Sequence, residues 1–203
     1  MQIPIFFSVT TAAGQRSLSA AIASLQTHAN LNHTYHIHIL NDALAQKQPR
    51  SLNYLQRENF LIKFSPSVSS VLEIPALFPE YDKAIVLDSS LLVAGDISLL
   101  WNEPLGNRLA GAVAESGEQL DRVKTGVLLL NCKKLRENPI TLDGENDRDR
   151  LNSLPRKQIL FLDPDWNAPA GENLEYQDDN PQILHFRPGI RRWQYKALIA
   201  ALG

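Results

Sequence analysis

Tyr81 to Asp96 read Y-D-K-A-I-V-L-D-S-S-L-L-V-A-G-D. The apolar run Ala84 to Leu87 is short and ends at Asp88. A run of this kind reads as a buried strand that delivers a carboxylate at its C-terminal end. In open α/β sheets that edge is where ligands bind. The same aspartate can equally cap the turn that follows, because Asp accepts hydrogen bonds from backbone just beyond it. The stretch alone leaves both readings open.

Outward from this strand, the pattern alternates. Ile3 to Val9, Tyr35 to Leu40 and Phe60 to Phe64 precede it as strand candidates. Leu109 to Ala114, Gly126 to Asn131, Ile159 to Leu162 and Ile183 to Phe186 follow it. Ser17 to Thr27 carries Leu18, Ala21, Ile22 and Leu25 at helical spacing. Pro49 suits a first helical turn continued by Leu52, Leu55 and Gln56. Lys133 to Glu137 and Asp147 to Leu154 are helical in pattern, and each stops before a proline, Pro139 and Pro155. Strands alternating with helices predict an α/β fold, a mostly parallel mixed sheet flanked by helices. No repeat or low-complexity tract is present. Leu142 to Arg150 and Gly171 to Pro181, which includes Asp178 and Asp179, read as polar surface loops.

Composition narrows the class. The 203 residues are 44% hydrophobic, enough for one core, so one domain over residues 1–203 is expected. With 20 Lys+Arg against 22 Asp+Glu, a nucleic-acid partner has no electrostatic support. The lone Cys132 excludes a disulfide framework, reads as a buried thiol, and suits a reducing compartment. MQIPIFFSVTT lacks a basic n-region and is broken by Pro4, so it does not read as a signal peptide. No run approaches the ~18 apolar residues of a membrane span. A cytoplasmic protein is expected. Trp193 to Leu202 reads as an amphipathic helix that closes the core, with peripheral membrane contact as its other use. Neither a G-x-G-x-x-G nor a G-x-x-x-x-G-K-[ST] string occurs, which removes dinucleotide and P-loop readings.

Taken together, the motifs resemble glycosyltransferase family 8. Tyr81 to Asp96 looks like its D-x-D segment, Y-D-K-x-I-Y-L-D-x-D-x-L-V-x-G-D-I. I-H-I-L-N-D (Ile37 to Asp42) resembles its second strand and loop, and G-V-L-L-L-N-C-K-K-L-R (Gly126 to Arg136) its G-V-L-L-I-N-x-K-x-W-R. D-R-D-R-L-N from Asp147 is similar to D-Q-D-x-L-N. F-L-D-P-D-W-N (Phe161 to Asn167) and H-F-R-P-G-I-R-R-W (His185 to Trp193) resemble L-x-x-x-W-N and H-F-x-G-x-x-K-P-W. The resemblance implies a GT-A fold and transfer of a hexose from a UDP-sugar to an acceptor hydroxyl with retention. The acceptor would be a carbohydrate or lipid-linked hydroxyl. It also implies a divalent metal, usually manganese, which offsets charge on the leaving diphosphate.

Carried over position by position, the metal ligands would be Asp88 and His185. The second aspartate of the motif is Ser90, so manganese binding is expected to be weak or lost. Thr11, Ser90, Gly189 and Arg191 fall on donor-binding positions beside Asp88. The family's early D-D-N-Y falls on Thr11, Ala12, Ala13 and Gly14, its F-N-x-G asparagine on Lys124, and the glutamine of D-Q-D on Arg148. Lys124, Arg148 and Asp147 are therefore the catalytic candidates. Gains of cations and loss of a carboxylate point to a site that holds a diphosphate with little or no metal, since arginine forks suit phosphate oxygens. Lys124 and Arg148 as solvated surface charges are the alternative, as are Asp147 and Asp149 as charges at a helix N-terminus. An inactive binding module that keeps the fold is the rival function. The chain ends soon after the H-F segment and reads as a compact version of the family. His36 and His38 alternate on one strand and share a face, which with His33 suggests a metal site or an ordinary partly exposed face.

Overall fold

The computed structural model of the protein describes residues 1–9, 11–47, 50–116, 122–140, 146–170 and 180–186. The first strand, β1 (Gln2–Ser8), is buried on both faces from Ile3 to Phe7, as its apolar run requires. It is followed by α1 (Ala12–His28), whose N-terminus is capped when Thr11 Oγ1 accepts the Gly14 N–H at 3.0 Å. The helix starts earlier than its apolar spacing predicts, because the cap offsets the weak helix propensity of Gly14. Leu18, Ala21, Ile22 and Leu25 are buried against the sheet, as expected.

The remaining elements follow in order. They are β2 (Thr34–Leu40), α2 (Asp42–Lys47), β3 (Phe60–Ser65), α3 (Ile74–Leu77), β4 (Ala84–Asp88), β5 (Leu91–Val93) and α4 (Ile97–Asn102). Then come β6 (Ala110–Ala114), β7 (Val123–Leu130), α5 (Cys132–Glu137), α6 (Asp147–Asn152), β8 (Ile159–Leu162), β9 (Ala168–Ala170) and β10 (Ile183–Phe186). Arg50–Leu55 forms a 3₁₀ turn; Pro49 lies outside the described residues, as do residues 187–203 with the predicted helix Trp193 to Leu202, and Asp178 and Asp179.

Seven strands form one sheet in the order β3-β2-β1-β4-β7-β6-β8. The pairs β1–β2, β2–β3, β1–β4 and β6–β8 are parallel, and β7 runs antiparallel to both β4 and β6. The strand order reverses between β1 and β4, which creates a topological switch point at their C-terminal ends. Parallel pairing sets Ser8 beside Asp88 there. A smaller sheet, β5-β10-β9, stands next to it.

Two apolar layers hold the sheet. Ile3, Ile5, Phe7, Ile37, Ile39, Ile85 and Leu87 face α1, while Phe6, Val86, Ala110, Ala112, Leu128 and Leu130 pack with Ile74, Tyr81, Leu135 and Leu151 on the other side. Each large aliphatic side chain so buried contributes roughly 1.5–3 kcal/mol. His36 and His38 share the second face. Nδ1 of His36 and Nε2 of His38 each lie 3.1 Å from the Tyr81 hydroxyl, and the His38 ring stacks on Phe6 at 4.6 Å. These two histidines are packing groups of the sheet.

Several residues of the matching motifs have structural roles. Asp96 caps α4 by accepting the Ser98 N–H at 2.9 Å. Gly95 and Ala94 donate main-chain N–H groups to the Gln182 carbonyl at 3.1 and 2.9 Å, and a side chain at Gly95 would collide with the Gln182 amide. Asn131 caps α5 through the Lys134 N–H at 3.1 Å and ties the loop before β6 with its amide, donating to the Arg108 carbonyl at 3.0 Å.

Candidate functional site

The C-terminal ends of β1, β2, β3, β4, β6 and β8 and the N-terminal end of β7 lie along one edge of the sheet. That geometry brings together residues far apart in sequence. Asp88 ends β4, and its Oδ1 accepts both the Ser90 main-chain N–H at 2.7 Å and the Ser90 hydroxyl at 2.6 Å. Asp88 therefore caps its turn, and it does so at the switch-point edge of the sheet, beside Ser8. Ser90 Oγ also lies 3.4 Å from Nε2 of His185 on β10, and the Ser90 carbonyl accepts the Phe186 N–H at 2.9 Å. The pairing of β10 with β5 is what carries His185 to the motif.

His185 is held on two further sides. Nδ1 lies 3.0 Å from Oδ1 of Asn167, at the end of the turn Pro164–Asn167. The ring lies directly on Gly126 of β7, where any Cβ would strike Cε1 and Nδ1. Burial lowers the imidazole below its ordinary pKa of 6.5; Asp88 opposes that shift and Lys124 adds to it. The ring is accordingly neutral near pH 7, the form that binds metals and accepts protons.

Lys124, near the start of β7, enters the same cluster. Its Nζ is 3.4 Å from the Asn167 carbonyl, and the residue is half-buried. No carboxylate pairs with it among the described residues. Thr11 stands close by: the first turn of α1 is so near β4 that a Cβ on Gly14 would meet both Thr11 Oγ1 and Ser89 Oγ. Thr11 and Asp88 thus flank the switch point.

Arg148 and Asp147 sit elsewhere on the edge. Arg148 forms an ion pair with Glu115, just past the end of β6. Asp147 accepts hydrogen bonds from the Ser70 hydroxyl and, at 3.0 Å, from the Val71 N–H, and it pairs with Arg150 at 3.4 Å. Its carboxylate straps α6 to the turn Val71–Glu73. Asp149 lies 3.6 Å from Arg122 on the exposed side. Gly189 and Arg191 are outside the described residues. Asn167, which the sequence shows only as part of the W-N likeness, joins the site through its contacts with His185 and Lys124.

The donor set suits a divalent ion in part. A carboxylate and a neutral imidazole nitrogen are proper ligands for manganese, and the hydroxyl of Ser90 between them is a poor one. Among the described residues no group of three or more His, Cys, Asp or Glu side chains converges.

The sequence model described as Glycosyl transferase family 8 matches residues 64–197. The chain belongs to glycosyltransferase family 8. It is 32% identical over 98 residues to probable galacturonosyltransferase 14 of Arabidopsis thaliana, a match spanning 45% of this chain and 18% of that protein. It thus spans less than a fifth of this plant relative. Among solved structures, the bifunctional glycosyltransferase WbbM superposes with a TM-score of 0.78 at 19% identity, over 100% of this chain and 50% of that one. The galactosyltransferase LgtC, in complex with donor and acceptor sugar analogues, superposes with a TM-score of 0.67 at 16% identity, over 99% of this chain and 96% of that one. These likenesses establish the GT-A fold. Family 8 members typically use a nucleotide-sugar donor. No helix among the described residues is long and apolar enough to cross a membrane.

Proposed function

We propose that the protein transfers a hexose from a UDP-sugar to an acceptor hydroxyl with retention, and that cations share the charge of the leaving diphosphate. The observation that carries this reading is the convergence of Asp88, Ser90, His185 and Lys124 at the switch point of a family 8 chain. The names of a probable galacturonosyltransferase and a galactosyltransferase among its relatives support a donor of the hexose class. The acceptor is a carbohydrate or lipid-linked hydroxyl.

In the transfer, the bond from the anomeric carbon to the diphosphate oxygen breaks and a bond to the acceptor oxygen forms on the same face. The acceptor proton leaves with the diphosphate. Negative charge builds on that leaving group, and preorganised cations stabilise it best in a water-poor cleft. Lys124 supplies one such cation, with Arg191 assigned a second. Arg148 is assigned to the sugar side and Asp147 to the acceptor side. Thr11 and Gly189 are assigned to donor binding. A divalent ion, where bound, would be held by Asp88 and His185 and would act as a Lewis acid on the diphosphate. The lone buried thiol of Cys132 supports a reducing, cytoplasmic setting.

The test is release of UDP from a panel of UDP-hexoses, with and without EDTA. Slow turnover that survives the chelator is expected. Ser90→Asp, which restores a carboxylate, should tighten manganese in a calorimetric titration. Turnover abolished by EDTA in the unmodified protein would refute the assignment of charge to the cations. Absence of turnover under every condition would leave the rival reading, a binding module.

A further inference from the structure

Two oxygens of one residue reach two different groups of the site. The turn Pro164–Asn167 is fixed at its start and in its middle: the Asp163 side chain accepts the Asp165 N–H at 3.0 Å, the Asp163 carbonyl accepts the Trp166 N–H at 3.1 Å, and Trp166 is buried in the core. Asn167, at the end of this rigid turn, is 1% exposed. Its Oδ1 faces His185 Nδ1 at 3.0 Å, and its main-chain oxygen faces Lys124 Nζ at 3.4 Å.

An amide oxygen only accepts, so the proton of a neutral His185 sits on Nδ1. Nε2 then carries the lone pair. The nearest donor to it is Ser90 Oγ, but that hydroxyl gives its proton to Asp88 over a much shorter 2.6 Å contact. The Nε2 lone pair is left on the side of Ser90 and Asp88, while the ring rests on Gly126.

The amide also carries a cost. Nδ2 of Asn167 is buried and has no hydrogen-bond partner among the described residues. A buried donor left unpaired is destabilising, and an apolar side chain of similar shape would spare it only by stranding the Nδ1–H of His185 instead. The asparagine and the histidine therefore form one unit.

We infer that Asn167 is a positioning residue: its side-chain oxygen fixes His185 in the Nδ1-protonated tautomer with Nε2 turned to Ser90 and Asp88, and its main-chain oxygen anchors Lys124. The purpose of this arrangement rests on the nucleotide-sugar reading above; the tautomer itself does not. Hydrogen-bond partners of this kind typically change metal affinity by about 10–100-fold when removed from a ligating histidine.

The experiment is a long-range proton–nitrogen correlation spectrum of the ¹⁵N-labelled protein at neutral pH, with His185→Gln to assign the signal by its loss. The unmodified protein should show His185 protonated at Nδ1. Asn167→Leu should lose that preference, and Asn167→Asp, which keeps an acceptor in place, should retain a proton on Nδ1. In parallel, the free-ion electron spin resonance signal of added manganese should report binding at least several-fold weaker in Asn167→Leu. A His185 protonated at Nε2 in the unmodified protein overturns the inference, as does a tautomer unchanged by Asn167→Leu. Should Asn167→Leu not fold, the spectra of the unmodified protein and of Asn167→Asp still decide. An Asn167-dependent tautomer in a protein without UDP-hexose turnover would sink the transferase reading and leave this one standing.

Discussion

Replacing Gly126 by alanine isolates the contact that seats His185. Gly126 is not in the left-handed backbone region; among the described glycines only Gly106, at φ 57°, is. An added methyl therefore costs nothing in backbone strain, and the whole effect comes from the collision. The new Cβ would lie within 3.0 Å of both Cε1 and Nδ1 of the ring, closer than such atoms approach in real structures. The ring has little freedom to retreat. Its main chain is paired with Leu91 on one side and Pro169 on the other, and Nδ1 is held by Asn167 at 3.0 Å. Overpacking of this kind costs about 1–3 kcal/mol. At roughly 2–4 °C per kcal/mol for a chain of this size, the melting temperature should fall by about 2–12 °C. Thermal unfolding followed by circular dichroism measures the fall, and the His185 nitrogen signals report whether the ring has moved. An alanine variant with unchanged melting temperature and unchanged His185 signals would refute the argument, because it would mean that the ring does not rest on Gly126.

Two further outcomes follow from the packing. Burial, reinforced by Lys63 and His36, lowers the His38 pKa from 6.5 to about 4. The unfolded chain takes up that proton first, so the stability contributed by neutral His38 is complete above pH 6.5 and is lost as pH falls toward 4. At 1.36 kcal/mol per pKa unit the loss approaches about 3 kcal/mol. Urea midpoints measured across this range should drop steeply in the unmodified protein and less steeply in His38→Phe; equal slopes would show that other groups govern acid sensitivity. Asp147→Ala removes acceptors from Ser70 and Val71 and should cost about 1–3 kcal/mol in urea unfolding. Asp149→Ala loses a solvent-exposed pair with Arg122 and an exposed hydrogen bond from the Asn146 amide, and should cost under about 1 kcal/mol. Equal losses would contradict the strap assigned to Asp147.

The central strands were legible because their apolar runs are long and β-rich: Ile3 to Phe7 and Ala84 to Leu87 are buried on both faces in the structure. The helix positions Leu18, Ala21, Ile22 and Leu25 were legible for the same reason. The three-residue strands Leu91–Val93 and Ala168–Ala170 were not, since pairing with Ile183–Phe186 creates them and no local pattern does. Strand β7 begins at Val123, ahead of the apolar run from Gly126, because Val123 pairs with Ala114 of β6 and carries the half-buried polar residues Lys124 and Thr125 into the strand. Within the site, Asp88, Ser90 and His185 were readable as motif positions. The partnership of Asn167 with His185 and Lys124 was not, because it exists only once the turn after β8 lies beside β10. Nor did the sequence disclose that Glu115 pairs with Arg148, or that Ser70 and Val71 bind the Asp147 carboxylate.

The most direct test of the account is the change in melting temperature caused by UDP in the presence of EDTA, in the unmodified protein and in Lys124→Ala. A ligand of the native state raises stability by RT ln(1 + [L]/Kd), about 2.7 kcal/mol at one hundred times Kd. Loss of a cation from a hydrogen-bonded charge pair typically costs about 2–5 kcal/mol of binding. A clear upward shift is expected in the unmodified protein without metal, and a small or absent shift in Lys124→Ala at the same UDP concentration. No shift in the unmodified protein, or equal shifts in both, would contradict it.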